Sequence, residues 1–484
     1  MRIIASPSRR VAVGAVFVLA FVLRTIWPVA DGAFLHQSNT DEGVYYATAS
    51  ALLHGMTPYG DLVFLHPPGI LIILAPFALV GMVVNDSVGI FLAREAFVLL
   101  GCLNAALVTR VLWHHGKTAA IAGGVIYASW GVTVISEFRL NLVTVQSTMF
   151  LLALLIVARW PRRIVLAGAL IGLTCIIKIW AVPYVLVALP FVLYRLGRPA
   201  FFRFATGLVV APATVALPFV ILHPTRAMTL IVGIQVDRES RDLGWIRRVS
   251  TSLDGSFHDG HFFAAVALVT IAGAVGIIAP TLMAVARRES PRTWPDAAWL
   301  GSLLALQAVV LILAPSFFRH YTAFIAPAGA LALGLAIDAL VRRWRPLVAV
   351  IPTLALASTV AVSMADRLYI AVPHDSLAAA VEDSPCVWTL RTSDLAVANA
   401  LTSNLNNDCG FTLDPYGRAL QLRRETGSDL AWNRLARQQL VRADAVIPSD
   451  VKLVDDSTRE FIWVTFDARE AIGPNYSVRT RRDP

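Results

Sequence analysis

The stretch TDEGVYYATASALLHG, from Thr40 to Gly55, places two adjacent carboxylates, Asp41 and Glu42, shortly after the first long apolar run of the chain. Thr40 is the predicted N-cap of a helix, because acidic residues suit a first helical turn and Gly55 suits the end. Two interpretations of the acids stay open here. They either complement the helix dipole or form a functional site.

The chain around this segment has the composition of an integral membrane protein. Of its 484 residues, 57% are hydrophobic and 15% are charged, and the mean hydropathy is +0.65. Apolar runs long enough to cross a hydrocarbon core of about 30 Å as helices recur from Val11 to Met364. We therefore predict a polytopic α-helical membrane domain over residues 1–364. Residues 365–484 lack this pattern and predict a separate water-facing domain.

The basic residues indicate the topology. They fall mostly in short loops between apolar runs, so the net charge of +9 reflects the positive-inside bias rather than nucleic-acid binding. With every basic loop in the cytoplasm, one of the first three runs, 11–28, 70–84 and 88–109, does not cross. Ile70–Val84 is the shortest and contains Pro76, so we interpret it as re-entrant or juxtamembrane.

The other predicted spans are 118–135, 143–158, 164–177, 179–194, 204–222, 262–286, 297–314, 321–341 and 346–364. This makes about eleven transmembrane helices. The first run is interpreted as an uncleaved helix, because no small-residue cleavage site follows it. The amino terminus is expected inside and the C-terminal domain outside the plasma membrane.

On this topology the loop 29–87 faces outward and carries juxtamembrane helices. Its acids are Asp31, Asp41, Glu42, Asp61 and Asp86, and it contains no Lys or Arg. His66-Pro67-Pro68 ends its polar part, and Arg94 follows inside the next apolar run. A charge within a span usually faces a polar cavity or a partner, although snorkelling to the headgroups is an alternative. The presence of His66 and Arg94 soon after the two acids favours a functional site over dipole matching alone.

These pieces, in this order, resemble the GT-C glycosyltransferases that use polyprenyl-phosphate sugars, such as the protein O-mannosyltransferases and the lipid A aminoarabinose transferases. The similar pieces are Asp41-Glu42, His66-Pro67-Pro68, Arg94 in GIFLAREAF, Lys178 in LAGALIGLTCIIKIW, and FFRHYTAFIAPAGALALGLA at Phe317–Ala336. The resemblance covers residues 10–340. Relatives sometimes carry Lys or an acid where His66 stands, which leaves the acceptor open.

The resemblance implies an inverting transfer of a sugar from a polyprenyl-phosphate carrier to a hydroxyl acceptor at the outer membrane face. Such a displacement needs a carboxylate that takes the acceptor proton and cations that stabilise the departing phosphate. Asp41 is the candidate base, and Glu42 is expected to place the acceptor or hold a polar network. The candidate donor-phosphate ligands are Arg94, Lys178, Arg319 and His320. The candidate substrate-binding residues are His66, Tyr45, Tyr46, Tyr59 and Asp61.

Each of these assignments has an alternative. Lys178 could be an interfacial anchor, Arg319 and His320 could make simple loop contacts, and the three tyrosines could form an aromatic belt at the interface. The sugar could be mannose, arabinose or an aminosugar, and the acceptor a protein, a glycolipid or a polysaccharide. A divalent cation could assist, but the cluster His258, Asp259 and His261 is a weak metal signal.

The C-terminal segment is predicted to be a small α/β domain. Alternation predicts strands in CVWTLRT (386–392) and FIWVTF (461–466), and helices are expected over 393–404 and 430–441. Cys386 and Cys409 lie in this exported segment, so we predict a disulfide between them, whereas Cys102 and Cys175 lie in spans.

A flippase or transporter of lipid-linked sugars is the alternative function. Such a protein should show internal repeats and charges near the bilayer centre. The halves of this sequence show no repeat, and the candidate charges lie near the predicted outer face. These features favour an enzyme.

Overall fold

The computed structural model describes residues 8–30, 37–238, 248, 281–343, 370–371, 374–472 and 477–482. The chain divides into two compact units. The helical unit comprises Met1–Trp27, Ala96–Val215 and Glu239–Leu368, and the mixed unit comprises Pro28–Glu95, Ala216–Arg238 and Tyr369–Pro484. The predicted cluster at His258, Asp259 and His261 and most of the spans 262–286 and 346–364 lie outside the described residues.

The first half of the described chain is almost entirely helical. Its helices are α1 (Arg9–Ala30), α2 (Thr40–Leu53), α3 (Gly69–Val83), α4 (Asp86–Leu112), α5 (Lys117–Ser129), α6 (Gly131–Ser136), α7 (Leu142–Arg159), α8 (Ile164–Ile177), α9 (Val182–Leu196), α10 (Arg198–Val220), α11 (Pro224–Met228) and α12 (Ile234–Asp237). A π-helical turn, Thr229–Gly233, joins the last two. Strand β1 (Gln37–Ser38) precedes α2.

The second half adds helices and strands. Its described helices are α13 (Asp296–Leu313), α14 (Ala326–Arg343), α15 (His374–Val381), α16 (Thr392–Val397), α17 (Leu401–Asn406), α18 (Pro415–Thr426), α19 (Leu430–Arg442) and α20 (Asp456–Thr465). Its strands are β2 (Ile370–Ala371), β3 (Val387–Thr389), β4 (Ala445–Ile447), β5 (Phe466–Ala471) and β6 (Ser477–Arg481).

Several helices are suited to cross a membrane. Among the described residues, the segments with the necessary length and apolar character are Asp86–Leu112, Leu142–Arg159, Ile179–Leu196, Arg198–Val220, Asp296–Leu313 and His320–Ala339. Each coincides with a predicted span. The chain is therefore a multi-pass membrane protein, while the expected count of about eleven spans stays a prediction.

Two of the predicted apolar segments have different local structures from those expected. The predicted span 118–135 is interrupted, because Trp130 adopts an extended conformation between α5 and α6. Helix α3 is a shorter apolar helix, as expected, but it continues through Pro76.

A buried ion pair stabilises the helical unit. The Arg24 Nε donates to the Glu137 carboxylate at 2.9 Å, and the Tyr127 hydroxyl donates to the same carboxylate at 2.7 Å. The Arg24 and Glu137 side chains are 0% and 2% exposed. A buried charge is tolerated when it is paired and hydrogen-bonded, so this network ties α1 to the segment after α6.

Helices α8 and α10 approach each other closely through glycines. A Cβ at Gly168 would lie 2.0 Å from the Phe204 carbonyl oxygen, and one at Gly207 would lie 2.0 Å from the Val165 carbonyl oxygen. Small residues allow such backbone contact between membrane helices.

The mixed unit contains a four-stranded sheet in the order β3-β4-β6-β5. Strands β3 and β4 are parallel, and the other neighbours are antiparallel. Its core includes Trp388, Trp432, Leu440 and Phe466. Strand β1 pairs with β2, Gln37 opposite Ala371, so the segment before α2 and the C-terminal segment belong to the same unit.

The C-terminal segment confirms some local predictions and corrects others. The structure joins Cys386 to Cys409 in a disulfide, with Cα atoms 5.5 Å apart. The strand predicted in FIWVTF is wrong, because α20 runs to Thr465 from a start capped by the Asp455 side chain. The helix predicted over 393–404 is two helices, since Asn399 has a φ of +57° between α16 and α17.

Candidate functional site

The N-cap of helix α2 lies one residue earlier than the sequence predicts. Asn39, not Thr40, is the N-cap: its side-chain oxygen accepts hydrogen bonds from the backbone N–H groups of Asp41 and Glu42 at 3.1 and 3.5 Å. The Thr40 hydroxyl instead donates to Asp450 at 3.3 Å. An amide oxygen at the N-cap satisfies first-turn donors and fixes where the following side chains point.

The two adjacent acids have different surroundings. Asp41 is exposed, whereas Glu42 is 1% exposed and forms an ion pair with Arg94. The Arg94 Nη2 donates to one Glu42 oxygen at 2.7 Å, and its Nε donates to the other at 3.3 Å. Arg94 is itself 1% exposed, so the alternative in which it snorkels to the headgroups is wrong. This two-point contact clamps α4 to the first turn of α2.

His66 contacts helix α2 at Tyr45. The Tyr45 hydroxyl and the His66 Nε2 are 3.3 Å apart, and the two rings meet edge to face at 5.3 Å. The Tyr59 hydroxyl donates to the His66 backbone oxygen at 2.7 Å, which holds this loop in place. Among the predicted substrate-binding residues, Tyr45, His66 and Tyr59 therefore come together next to the acidic turn.

The aromatic-belt interpretation is wrong for the three tyrosines. Tyr46 and Tyr59 are 0% exposed and Tyr45 is 5% exposed, whereas belt residues face the membrane interface. The Tyr46 hydroxyl donates to the Asp86 backbone oxygen at 3.4 Å. Tyr46 and Tyr59 are thus buried inside the mixed unit, each with its hydroxyl on a backbone oxygen.

Asp61 stabilises its own loop. Its exposed carboxylate accepts from the Thr57 N–H and hydroxyl, both at 2.8 Å. These hydrogen bonds, the backbone one first, hold the pKa of Asp61 below its ordinary value. The carboxylate is consequently ionised at neutral pH and hydrogen-bonded to Thr57.

Asp414 is a neighbour of Asp41 that sequence reasoning missed. Its carboxylate caps α18 by accepting from the Gly417 N–H at 2.8 Å. Burial raises the pKa of Asp414 to about 6, the Asp41 charge adds to this increase, and the Gly417 N–H and Arg238 oppose it. The signal DPYG, 414–417, predicts a helix start, because an N-cap acid precedes a proline. Only tertiary structure brings it to Asp41.

Side chains from residues 226–238, which follow α10, also reach this part of the mixed unit. Arg226 donates to the Gly60 backbone oxygen, and the Gln235 side chain donates to the Leu65 backbone oxygen at 3.1 Å. The Arg238 guanidinium lies 5.4 Å from the Tyr416 ring centre. The loop that carries His66 is therefore supported by residues that are distant in the sequence.

The helical unit holds a second group of predicted residues. Lys178 is 4% exposed at the break after α8, and its Nζ lies 3.8 Å from the Tyr321 ring centre and 4.6 Å from that of Trp180. Rings at this distance stabilise a cation. The interfacial-anchor interpretation of Lys178 is wrong, because an anchor faces the headgroups.

Tyr321 lies next to Lys178 and next to His320, another predicted phosphate ligand. It belongs to the 3₁₀ segment Arg319–Ile325, and its ring centre lies 4.7 Å from that of His320. The structure thus groups Lys178 with the segment that carries Arg319 and His320, within the helical unit. Arg94 and Asp41 belong to the mixed unit.

Among the described residues, His114, His115 and Asp296 form the group with metal-ligand spacing. The Asp296 carboxylate is already engaged, since His115 Nε2 lies at 3.2 Å and Arg195 Nη2 at 2.8 Å. An arginine on the same carboxylate disfavours a bound cation.

Comparison with known proteins assigns the family. The model of glycosyltransferase family 87 matches residues 64–315, which is more than half of the chain. ArnT from Cupriavidus metallidurans bound to undecaprenyl phosphate is similar in structure, with a TM-score of 0.55, 15% identity, and 97% of each chain covered. No curated protein matches the chain.

An archaeal structure shows the same similarity. The oligosaccharyltransferase of Archaeoglobus fulgidus in complex with Zn and sulfate has a TM-score of 0.56 at 14% identity, over 90% of this chain and 67% of that one. At such identities the similarity shows the fold, and the family match shows the membership. This chain belongs to glycosyltransferase family 87 and has the GT-C fold, as the sequence resemblance predicted.

Proposed function

We propose that this membrane glycosyltransferase moves a sugar from a polyprenyl-phosphate carrier to a hydroxyl acceptor at the outer face of the plasma membrane, with Asp41 as the catalytic base. The observation that carries the proposal is the fixed first turn of α2. Asp41 is exposed there, and its backbone N–H donates to the Asn39 side chain. Its neighbour Glu42 forms an ion pair with Arg94. A base held in one position lowers the entropic barrier of the reaction.

The donor class is supported by the structural relatives. One is ArnT bound to undecaprenyl phosphate, and another is the Archaeoglobus fulgidus protein AglB in complex with an inhibitory peptide and a dolichol-phosphate, with a TM-score of 0.54 at 13% identity. Both of these proteins bind a lipid phosphate, and AglB also binds a peptide. A lipid-linked sugar donor is the corresponding proposal for this chain.

The proposed reaction is an inverting displacement. The acceptor oxygen forms a bond to the anomeric carbon on the face opposite the phosphate, its proton passes to the Asp41 carboxylate, and the carbon–oxygen bond to phosphate breaks. The electron pair stays on the phosphate. A cation near this phosphate lowers the barrier, because charge develops on the leaving oxygen.

We assign the phosphate-stabilising role to Lys178, Arg319 and His320 and a positioning role to Arg94. The Arg94 guanidinium is occupied by both oxygens of Glu42, so its contribution is to hold the first turn of α2. His66 and Tyr45 are proposed to contact the sugar or acceptor, since they lie beside this turn.

The test is sugar transfer in membranes from radiolabelled polyprenyl-phosphate sugars to endogenous acceptors. Asp41→Asn keeps the side-chain shape and removes the base, so we expect transfer to fall by about 10²-fold or more with donor binding retained. Asp383→Asn, at an exposed site of the same unit, is the matched control and should transfer normally.

Either of two results would contradict the proposal. Normal transfer by Asp41→Asn would remove Asp41 from the role of base. An absence of transfer by the wild-type protein from mannosyl, arabinosyl and aminosugar donors would favour a transporter. The labelled product identifies the sugar and the acceptor.

A further inference from the structure

A cavity of about 530 Å³ lies among the helices of the helical unit, and Lys178, Arg319 and His320 are not among its lining residues. Its walls are apolar and include Phe150, Leu154, Ile171, Val187, Phe204 and Leu335. Its charged and imidazole side chains are those of Arg110, His114, His115, Arg159, Arg195 and Asp296, and Tyr184 and Trp299 add a hydroxyl and an indole N–H. The volume falls within the range of about 300–1,000 Å³ that is usual for pockets that bind small ligands.

The charged groups come from the ends of spans. Arg110, Arg159 and Arg195 lie in the last turns of α4, α7 and α9, and Asp296 begins α13. Arg195 donates to Asp296 at 2.8 Å, so this pair is internally neutral. Arg110 and Arg159 therefore leave the cavity lining positive even when both histidines are neutral.

Two described lining groups that can donate but not accept a hydrogen bond lack acceptors. Within the described part of the chain, the Arg110 Nη1 and the Trp299 Nε1 are buried and have no hydrogen-bond partner. Buried donors in folded proteins are nearly always paired, because leaving one unpaired is costly. Both groups only donate, so the matching ligand carries acceptor oxygens, and beside Arg110 a negative charge is favoured.

The matching chemistry is that of an amphiphile with a phosphate. A phospholipid has an anionic phosphate for the arginines, ester carbonyl oxygens for the indole N–H, and an acyl chain for the apolar walls. The arginines belong to the basic loops that the positive-inside bias places in the cytoplasm. Basic pockets between membrane helices on that side bind anionic headgroups.

We propose that this cavity binds one anionic phospholipid of the cytoplasmic leaflet, with its phosphate on Arg110 and Arg159 and one acyl chain inside the apolar walls. The site does not take part in the proposed transfer reaction. Its existence can therefore be tested whether or not Asp41 is the base.

The experiment measures lipid binding to the purified full-length protein by native mass spectrometry. The probes are phosphatidylglycerol, phosphatidylcholine with the same acyl chains, and undecaprenyl phosphate. We expect saturable binding of one phosphatidylglycerol, at least 10-fold tighter than phosphatidylcholine. Arg110→Gln/Arg159→Gln should weaken this binding about 10-fold, because a charged pair of donors is removed.

Two further variants separate the contributions of charge and shape. Arg287→Gln/Arg292→Gln removes the same charge from exposed residues that do not line the cavity and should change binding less than 2-fold. Ala188→Phe fills the apolar part without changing charge and should also abolish the tight site. If the Arg110/Arg159 variant does not fold, Ala188→Phe decides the outcome.

Three results would overturn the proposal. Equal binding of phosphatidylglycerol and phosphatidylcholine would remove the anionic specificity. Unchanged binding in Ala188→Phe would place the lipid elsewhere. Displacement of phosphatidylglycerol by undecaprenyl phosphate at equal or lower concentration would identify the occupant as the carrier lipid instead.

Discussion

Asp41 and Glu42 show how neighbouring residues of one type acquire different roles. Successive side chains of a helix point about 100° apart, so adjacent acids cannot face the same surroundings. Here one carboxylate is exposed and the other is buried against Arg94. The dipole interpretation and the functional interpretation are therefore compatible, because the first turn accommodates both charges.

The Glu42–Arg94 pair allows a stability prediction. Arg94→Met leaves the Glu42 carboxylate buried without its partner, which should cost about 3–5 kcal/mol, whereas Glu42→Leu/Arg94→Met should be near neutral. Thermal unfolding in detergent, followed by circular dichroism, measures the difference. A double variant as unstable as Arg94→Met alone would show that packing, not charge, dominates at this position.

At the scale of elements, α2 is held by a close backbone contact. A Cβ at Gly43 would lie 2.1 Å from the backbone nitrogen of Ser393, the second residue of α16. Such a contact admits only glycine, since the obstructing atom belongs to backbone and cannot rotate away. The position of the acidic turn thus depends on a helix that lies about 350 residues later in the chain.

We expect Gly43→Ala to lower both the unfolding temperature and the transfer rate, because α2 must move away from α16. Gly14→Ala is the matched control in α1, where a Cβ meets no atom within 4 Å. There the substitution should be neutral or stabilise by about 0.5–1 kcal/mol, as it does in helices generally. Equal unfolding temperatures for the two variants would contradict the close contact.

At the scale of the whole molecule, the basic loops of the helical unit meet. Arg195 and His115 both contact Asp296, and Arg342 donates to the His115 backbone oxygen at 3.2 Å. Loops that are separated in the sequence thus share one end of this unit. Their meeting agrees with the single cytoplasmic face that the positive-inside bias predicts.

This topology can be tested by labelling. In a background with Cys102 and Cys175 replaced by serine, Asp383→Cys should react with a membrane-impermeant maleimide in intact cells. Arg198→Cys, at an exposed basic position, should react only after the cells are permeabilised. The reverse pattern would invert the predicted orientation and place the transfer site inside the cell.

Part of the candidate site was accessible from local patterns. The apolar runs, the order of Asp41, His66 and Arg94, and the pair Cys386 and Cys409 could be read from the sequence, because they depend on composition and spacing. The strand predicted in FIWVTF failed, since a six-residue apolar run fits both a strand and a buried helix face, and the Asp455 cap selects the helix.

The sequence by itself determined that this chain is a polytopic membrane protein, because hydrophobic length and charge placement act locally along the chain, and the order of its motifs resembles that of the GT-C glycosyltransferases. Tertiary structure alone decided that Glu42 binds Arg94, that the Asp41 charge contributes to the raised pKa of Asp414, and that Arg110 and Trp299 line one cavity. These relationships join residues distant in sequence. They depend on which surfaces pack and which charges lose water, and no local pattern contains that information.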